Sequence, residues 1–187
     1  MNRFIRAALC VLTACSVAFF SQAGVAETDI FLKMTDIPGE SLDEDHKDEI
    51  EILAWQWSYA APELNYVGNR SIPSYGATVC EPISCVHYFD KASPKIALYG
   101  FTRDGIEEAV LTVRTTGDSP TEYVVIKLTD AWVNAQNMGG KESESRLTEK
   151  FSLSFGKIEI EYTTPSGADS GSAPVAFGWD CRSSSPL

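Results

Sequence analysis

The stretch Ile50-Glu51-Ile52-Leu53-Ala54-Trp55-Gln56-Trp57-Ser58-Tyr59 decides the fold. Side chains of an extended chain alternate between faces, which puts Ile50, Ile52 and Ala54 on one side and Leu53, Trp55, Trp57 and Tyr59 on the other. A strand at the surface of a monomer alternates apolar with polar, so a strand apolar on both sides needs cover on both. The core of the domain covers one side. The other calls for a helix, a second sheet or a neighbouring subunit. Trp55 and Trp57 are expected to fill a barrel core and to reach a subunit contact; contact with a sugar or similar ligand is the competing reading.

Outward from this strand the chain reads as strand after strand. Residues 30–34 form a short apolar strand ended by Pro38-Gly39, and the acidic residues 40–49 read as a solvated loop able to extend away from the domain. Residues 60–80, broken by Pro62, Gly68, Pro73 and Gly76, read as a long irregular loop. Ser93 is the expected N-cap of a short helix with Pro94 at its first position, continuing to Phe101. Residues 107–115 turn Ala109, Leu111 and Val113 inward, and residues 123–133 put Val124, Ile126, Leu128 and Trp132 on one side. Phe151, Leu153 and Phe155 share odd parity, whereas Ile158, Ile160 and Tyr162 share even parity. A β-bulge at Gly156 would restore one continuous apolar face. Residues 175–181 close the pattern, which indicates a mostly β barrel or sandwich with one helix.

The N-terminus reads as a secretory signal. Arg3 and Arg6 precede an apolar run over residues 7–20, and small residues lead to Gly24-Val25-Ala26. This gives a signal peptide over 1–26 and a domain over 27–187, with cleavage after Ala26 or, nearby, Ala23. Leu12-Thr13-Ala14-Cys15 also has the form of a lipobox, but the apolar run continues past Cys15. The full chain carries a formal charge of −11. Without residues 1–26 it loses Arg3 and Arg6 and no acid, so 13 basic residues face 26 acidic ones. That excess repels phosphate backbones and anionic lipid, which argues against nucleic acid and membrane partners once the signal is removed. In the mature chain Cys80, Cys85 and Cys181 allow one disulfide and leave one thiol over. Pro82 could turn the chain so that Cys80 meets Cys85, either could reach Cys181, or all three could stay reduced.

Catalytic and cofactor motifs are missing. There is no HExxH, paired CxxC, Walker loop, GxSxG or GxGxxG. His46 sits in Asp43-Glu44-Asp45-His46-Lys47-Asp48-Glu49, whose spacing is not that of a calcium loop, and the run reads as solvated. Cys85 and His87 share strand parity, but the sequence supplies no group to orient them as a nucleophilic pair. No enzyme activity, metal or cofactor is expected.

Five further segments carry a resemblance. They are Asp29-Ile30-Phe31-Leu32-Lys33 with Ile37-Pro38-Gly39-Glu40-Ser41; His46-Lys47-Asp48-Glu49-Ile50-Glu51 leading to Leu53-Ala54-Trp55-Gln56-Trp57; Tyr88-Phe89-Asp90-Lys91-Ala92-Ser93-Pro94; Arg146-Leu147-Thr148-Glu149; and Phe177-Gly178-Trp179. In this order they resemble the haemolysin-coregulated protein (Hcp) family of type VI secretion systems. The resemblance implies a small antiparallel β-barrel of two sheets with one helix, forming homo-hexameric rings that stack into a tube. It also implies small effector proteins in the lumen, contacts with other type VI components, and no catalysis or cofactor. A ring of identical subunits joins two different faces of each copy. By analogy, the loop carrying Glu40, Ser41, His46, Lys47, Asp48 and Glu49 projects towards a neighbouring subunit or ring. Two features depart from the family: the export signal, which implies a periplasmic or secreted protein, and the cysteines with the segment 68–76 in place of a glycine-rich loop.

Overall fold

The computed structural model describes residues 28–187 except 63, 68, 69, 74–76, 118, 144 and 166–172, and describes 64–67 and 70–73 by backbone alone. The expected signal peptide, with Cys10 and Cys15, lies outside these residues.

Six antiparallel strands close on themselves. They are β1 (Thr28–Met34), β2 (Ile50–Gln56), β7 (Ile83–Tyr88), β8 (Ile106–Thr115), β9 (Glu122–Gly139) and β10 (Thr148–Tyr162). Around the barrel the order is β10-β7-β2-β1-β8-β9, and β9 pairs back onto β10 to complete it. One edge of β10 runs along β9. The other is shared, first by β7 from Thr148 to Leu153 and then by β11 (Val175–Asp180) from Lys157 to Tyr162. The two-residue β12 (Ser185–Pro186) extends β11. The fold is therefore mostly β, a small antiparallel barrel with one helix.

Leu32, Ile50, Ile52, Ile83, Ala109, Leu111, Val113, Ile126, Leu128, Phe151, Leu153 and Ile158 fill the interior, each at most 5% exposed. Burying each of the larger ones contributes about 1.5–3 kcal/mol. Helix α1 (Ser93–Thr102) packs on β9, with Gly100 close to Val133. Its N-cap is Ala92 and not Ser93. Ser93 is already inside the first turn, where its Oγ accepts from the Asp90 N–H at 3.1 Å while Asp90 Oδ1 accepts from the Ala92 N–H at 2.8 Å.

Four expectations change. First, β2 is not uniformly two-faced. Ile52 pairs with His87 but Ala54 pairs with Val86, so Leu53 is an extra residue in the ladder. Beyond this bulge Trp55 pairs with Cys85 and turns inward, leaving Leu53 and Ala54 on the outside. Trp55 and Trp57 are half-buried against their own core. The strand's double apolar pattern thus arises from a bulge, which changes the face without needing a second cover.

Second, the parity switch at Gly156 is not a bulge. Phe155 pairs with Ala131 and Lys157 with Thr129, so no residue is inserted. Opposite Gly156, Asp130 adopts a left-handed conformation (φ 51°) and both strands kink together. Asp tolerates this region better than most residues with a Cβ. The kink turns Ala131 and Val133 inward and puts Trp132 outside, against the expected face.

Third, residues 60–80 are not wholly irregular. They hold the hairpin of β4 (Leu64–Val67) and β5 (Arg70–Pro73), and β6 (Val79–Cys80) pairs with β3 (Tyr59–Ala60). Fourth, the acidic loop does not extend away; it folds onto the barrel.

Candidate functional site

The loop between β1 and β2 is built on backbone contacts that only a small residue permits. The Gly39 N–H donates to Asp48 O at 2.8 Å, and a Cβ on Gly39 would run into the Glu49 carbonyl. The Ser41 N–H donates to Glu49 O and the Asp48 N–H to Ser41 O, both at 3.0 Å. Asp48 accepts this geometry at φ 60°. The loop closes on itself and then docks.

Docking runs through His46. Its ring lies flat on Phe31, with centroids 4.2 Å apart, and its Nδ1 is 3.0 Å from Glu49 Oε2. Arg114, at the end of β8, sits 4.9 Å from the Phe31 ring centre and grips Asp43 through both terminal nitrogens while its Nε and one terminal nitrogen reach Asp29. The guanidinium bonded to Asp43 holds that carboxyl below the usual carboxylate range, and Asp43 in turn pushes Arg114 up. A charge-assisted, bidentate clamp of this kind is the stronger class of surface ion pair.

Of the residues expected on this loop, Ser41 and His46 are buried under their own chain and Glu49 is half-buried. They shape the loop's surface instead of forming it. Glu40, Lys47 and Asp48 stay exposed, Glu40 accepting from the Lys91 N–H and Asp48 from Lys91 Nζ at 2.8 Å. Beside them Leu42 stands 91% exposed.

A second cluster is sealed inside. His87 Nε2 lies 2.6 Å from Glu149 Oε1, and Glu149 Oε2 accepts from Gln136, which also donates to Ser93 O. His87 Nδ1 is 3.8 Å from Asp90, whose carboxyl is pushed up by burial. His87 therefore does have an orienting carboxylate, contrary to the sequence reading. Cys85 cannot use it, because burial pushes its thiol up to about 12 and a thiol held protonated is a poor nucleophile. The cluster joins β7, β9, β10 and the start of α1, with His87 and Glu149 buried. Among the described residues no group of three or more His, Cys, Asp or Glu side chains is placed to hold a metal.

The third feature lies outside the barrel wall. Cys80 is disulfide-bonded to Cys181, and Cys85 is the buried free thiol. The bridge borders a cavity of about 350 Å³ lined by Trp57, Tyr59, Thr78, Cys80, Phe177 and Trp179. Trp57 donates through Nε1 to Glu81 O at 3.1 Å, whereas Trp179 Nε1 is buried without a hydrogen-bond partner.

The five segments that carried the resemblance meet in these contacts: Phe31 with His46, Glu40 and Asp48 with Lys91, Tyr88 with Arg146 (3.9 Å), the Phe89 N–H with Leu147 O (2.9 Å), and Trp57 beside Trp179. Sequence reasoning missed Arg114, Asp29, Asp43, Glu149 and Gln136. A lone arginine following Val110-Leu111-Thr112-Val113 was the available signal for the first.

Residues 31–162 match the family model described as type VI secretion system effector, Hcp. The chain belongs to the Hcp family. It is 31% identical over 157 residues to protein hcp1 of Pseudomonas aeruginosa, covering 82% of this chain and 95% of that protein. The crystal structure of Hcp1 from Salmonella typhimurium is 29% identical with a TM-score of 0.68, covering 86% of this chain and 99% of that one. A type VI secretion system effector from Yersinia pestis is 30% identical with a TM-score of 0.65, covering 81% and 99%. The match thus spans nearly the full length of these relatives, and the disulfide and its cavity lie beside the barrel strands in this chain. Among the described residues no helix is long and apolar enough to cross a membrane.

Proposed function

We propose that this Hcp-family chain is a structural subunit of a type VI secretion inner tube, assembling into hexameric rings that stack and carry effectors in the lumen. The observation that supports this most is that the chain covers 95% of the Pseudomonas protein and closes a six-stranded barrel. The role is one of assembly without catalysis: both histidines are committed to internal partners. Exposed Leu42, Leu53 and Phe101 are among the apolar side chains available to neighbouring copies, together with the charged Glu40, Lys47 and Asp48 of the loop. Residues 1–26 act as an export signal, so that the mature domain 27–187 works in the periplasm or beyond it.

Electron microscopy of the purified protein tests the assembly, with rings the expected result and a strictly monomeric species at high concentration overturning it. Leu42→Glu and Leu53→Glu are better probes than changes at Trp55 or Trp57, which would disturb the subunit's own core. A second reading, an exported binding module that has lost tube assembly, is favoured by the aromatic cavity beside the disulfide. It predicts a folded monomer whose tryptophan fluorescence responds to a ligand.

A further inference from the structure

Closure of the barrel needs neither Cys80 nor Cys181. The closing seam is β9 on β10, and the six barrel strands contain neither residue. Cys80 ends β6, which is two residues long and pairs with the equally short β3. Cys181 follows β11, which is added to the outer half of β10. The bridge spans 101 residues of sequence and ties these two appendages together. The cavity lies where they meet, with Trp57, Tyr59, Thr78 and Cys80 on one appendage and Phe177 and Trp179 on the other.

The two-residue β3–β6 ladder is too short to hold position unaided, whereas β11 is held on β10 by six pairs, so it is the β3–β6 appendage that depends on the bridge. The third thiol, Cys85, is enclosed in the core between the pairing partners Trp55 and Phe151, where it cannot compete for either half of the bridge.

We propose that the Cys80–Cys181 bridge is a redox clasp that assembles the aromatic cavity in an oxidising compartment and releases it, with the barrel intact, on reduction. One of the two thiolates attacks a protein disulfide oxidant, forming a mixed disulfide and expelling the first donor sulfur. The other thiolate then attacks the bonded cysteine sulfur and expels the second donor sulfur. The two cysteines lose two electrons to the donor, which leaves as a dithiol carrying the two protons. The clasp is independent of ring assembly, since a monomer carries both halves.

The test compares the oxidised full chain with the same chain reduced by dithiothreitol and alkylated under native conditions. Peptide mass spectrometry should find Cys80 and Cys181 alkylated and Cys85 untouched. Amide hydrogen exchange should rise at least about tenfold over residues 59–60 and 79–80 while β8 and the first half of β10 keep their protection. A Cys80→Ser/Cys181→Ser double variant, never exposed to reductant, should show the same local pattern. Equal loss of protection in β8 and β10 would make the bridge a staple of the whole fold and overturn the clasp. Unchanged exchange in the β3–β6 appendage, in either the reduced chain or the double variant, would overturn it too.

Discussion

His46 lies parallel to Phe31 within 9°, with ring centroids 4.2 Å apart, so a loop that looks made for water is anchored by a stacked pair. Glu44, Asp45 and Asp48 face outward while the imidazole, with Asp43 and Glu49 beside it, takes the inward position. Phe31→Ala should cost about 3–5 kcal/mol by cavity formation. His46→Ala should cost about 1–3 kcal/mol by leaving Glu49 without its partner. Exchange at the Ser41 and Asp48 amides, both bonded within the loop, distinguishes loop release from global unfolding, and His46→Ala should raise it first.

Asp43 gives the loop a dependence on acid. Its folded pKa lies below the usual 3.8 because Arg114 bonds the ionised form. A depressed carboxylate contributes stability above its unfolded pKa and loses it as pH falls through the folded one. The clamp is therefore intact at neutral pH and weakens below about pH 4. Asp43→Asn should flatten the stability curve in that range and leave its shape above pH 5, about one unit beyond the titration, unchanged. Urea unfolding at a series of pH values reads this directly.

Two of the glycines with crowded Cβ positions, Gly39 and Gly156, should respond differently. At Gly39 the obstacle is the Glu49 backbone, which cannot move without opening the loop; at Gly156 it is the end of the exposed Arg182 side chain. Gly39→Ala is expected to destabilise by more than about 2 kcal/mol and Gly156→Ala by less than about 1 kcal/mol, measured by thermal melts. Equal effects would show that Arg182 is held more firmly than its exposure implies.

Glu149 carries the buried cluster. Glu149→Ala strands the buried His87, while Gln136 keeps its bond to Ser93 O, and should cost about 3–5 kcal/mol. Glu149→Gln keeps an acceptor and should cost markedly less. Denaturant midpoints of the two variants give the comparison.

Cys85 should be inert. With its thiol pushed up to about 12 and buried, it should resist iodoacetamide in the native protein at pH 8 and react only on unfolding. Native labelling at Cys85 would mean that the barrel opens between β2 and β7.

The barrel was legible in the sequence where alternation is regular. Ala109, Leu111 and Val113 face inward as read, and so do Ile126, Leu128, Phe151, Leu153 and Phe155. Alternation fails where one residue changes the phase. Leu53 as an extra ladder residue and Asp130 in a left-handed turn each moved side chains to the other face, and neither leaves a compositional mark as strong as a glycine. The acidic loop misled for a different reason. Charge density predicts exposure of most of its residues correctly, but the anchor is one histidine whose partner, Phe31, lies fifteen residues earlier in the chain. The disulfide could not be chosen among its alternatives, because Cys80 and Cys181 meet only through the path of β10 and β11.

Because the wall closes on itself, every barrel strand already has neighbours along both flanks. Such closure removes the hazard of copies polymerising through the main-chain amides of the wall into a fibre that cannot be taken apart. Along the wall the backbone is spoken for, so a copy that meets it must be held there by side-chain fit; the main-chain edge still open lies on β11, where only Trp179 and Asp180 have a partner in β12.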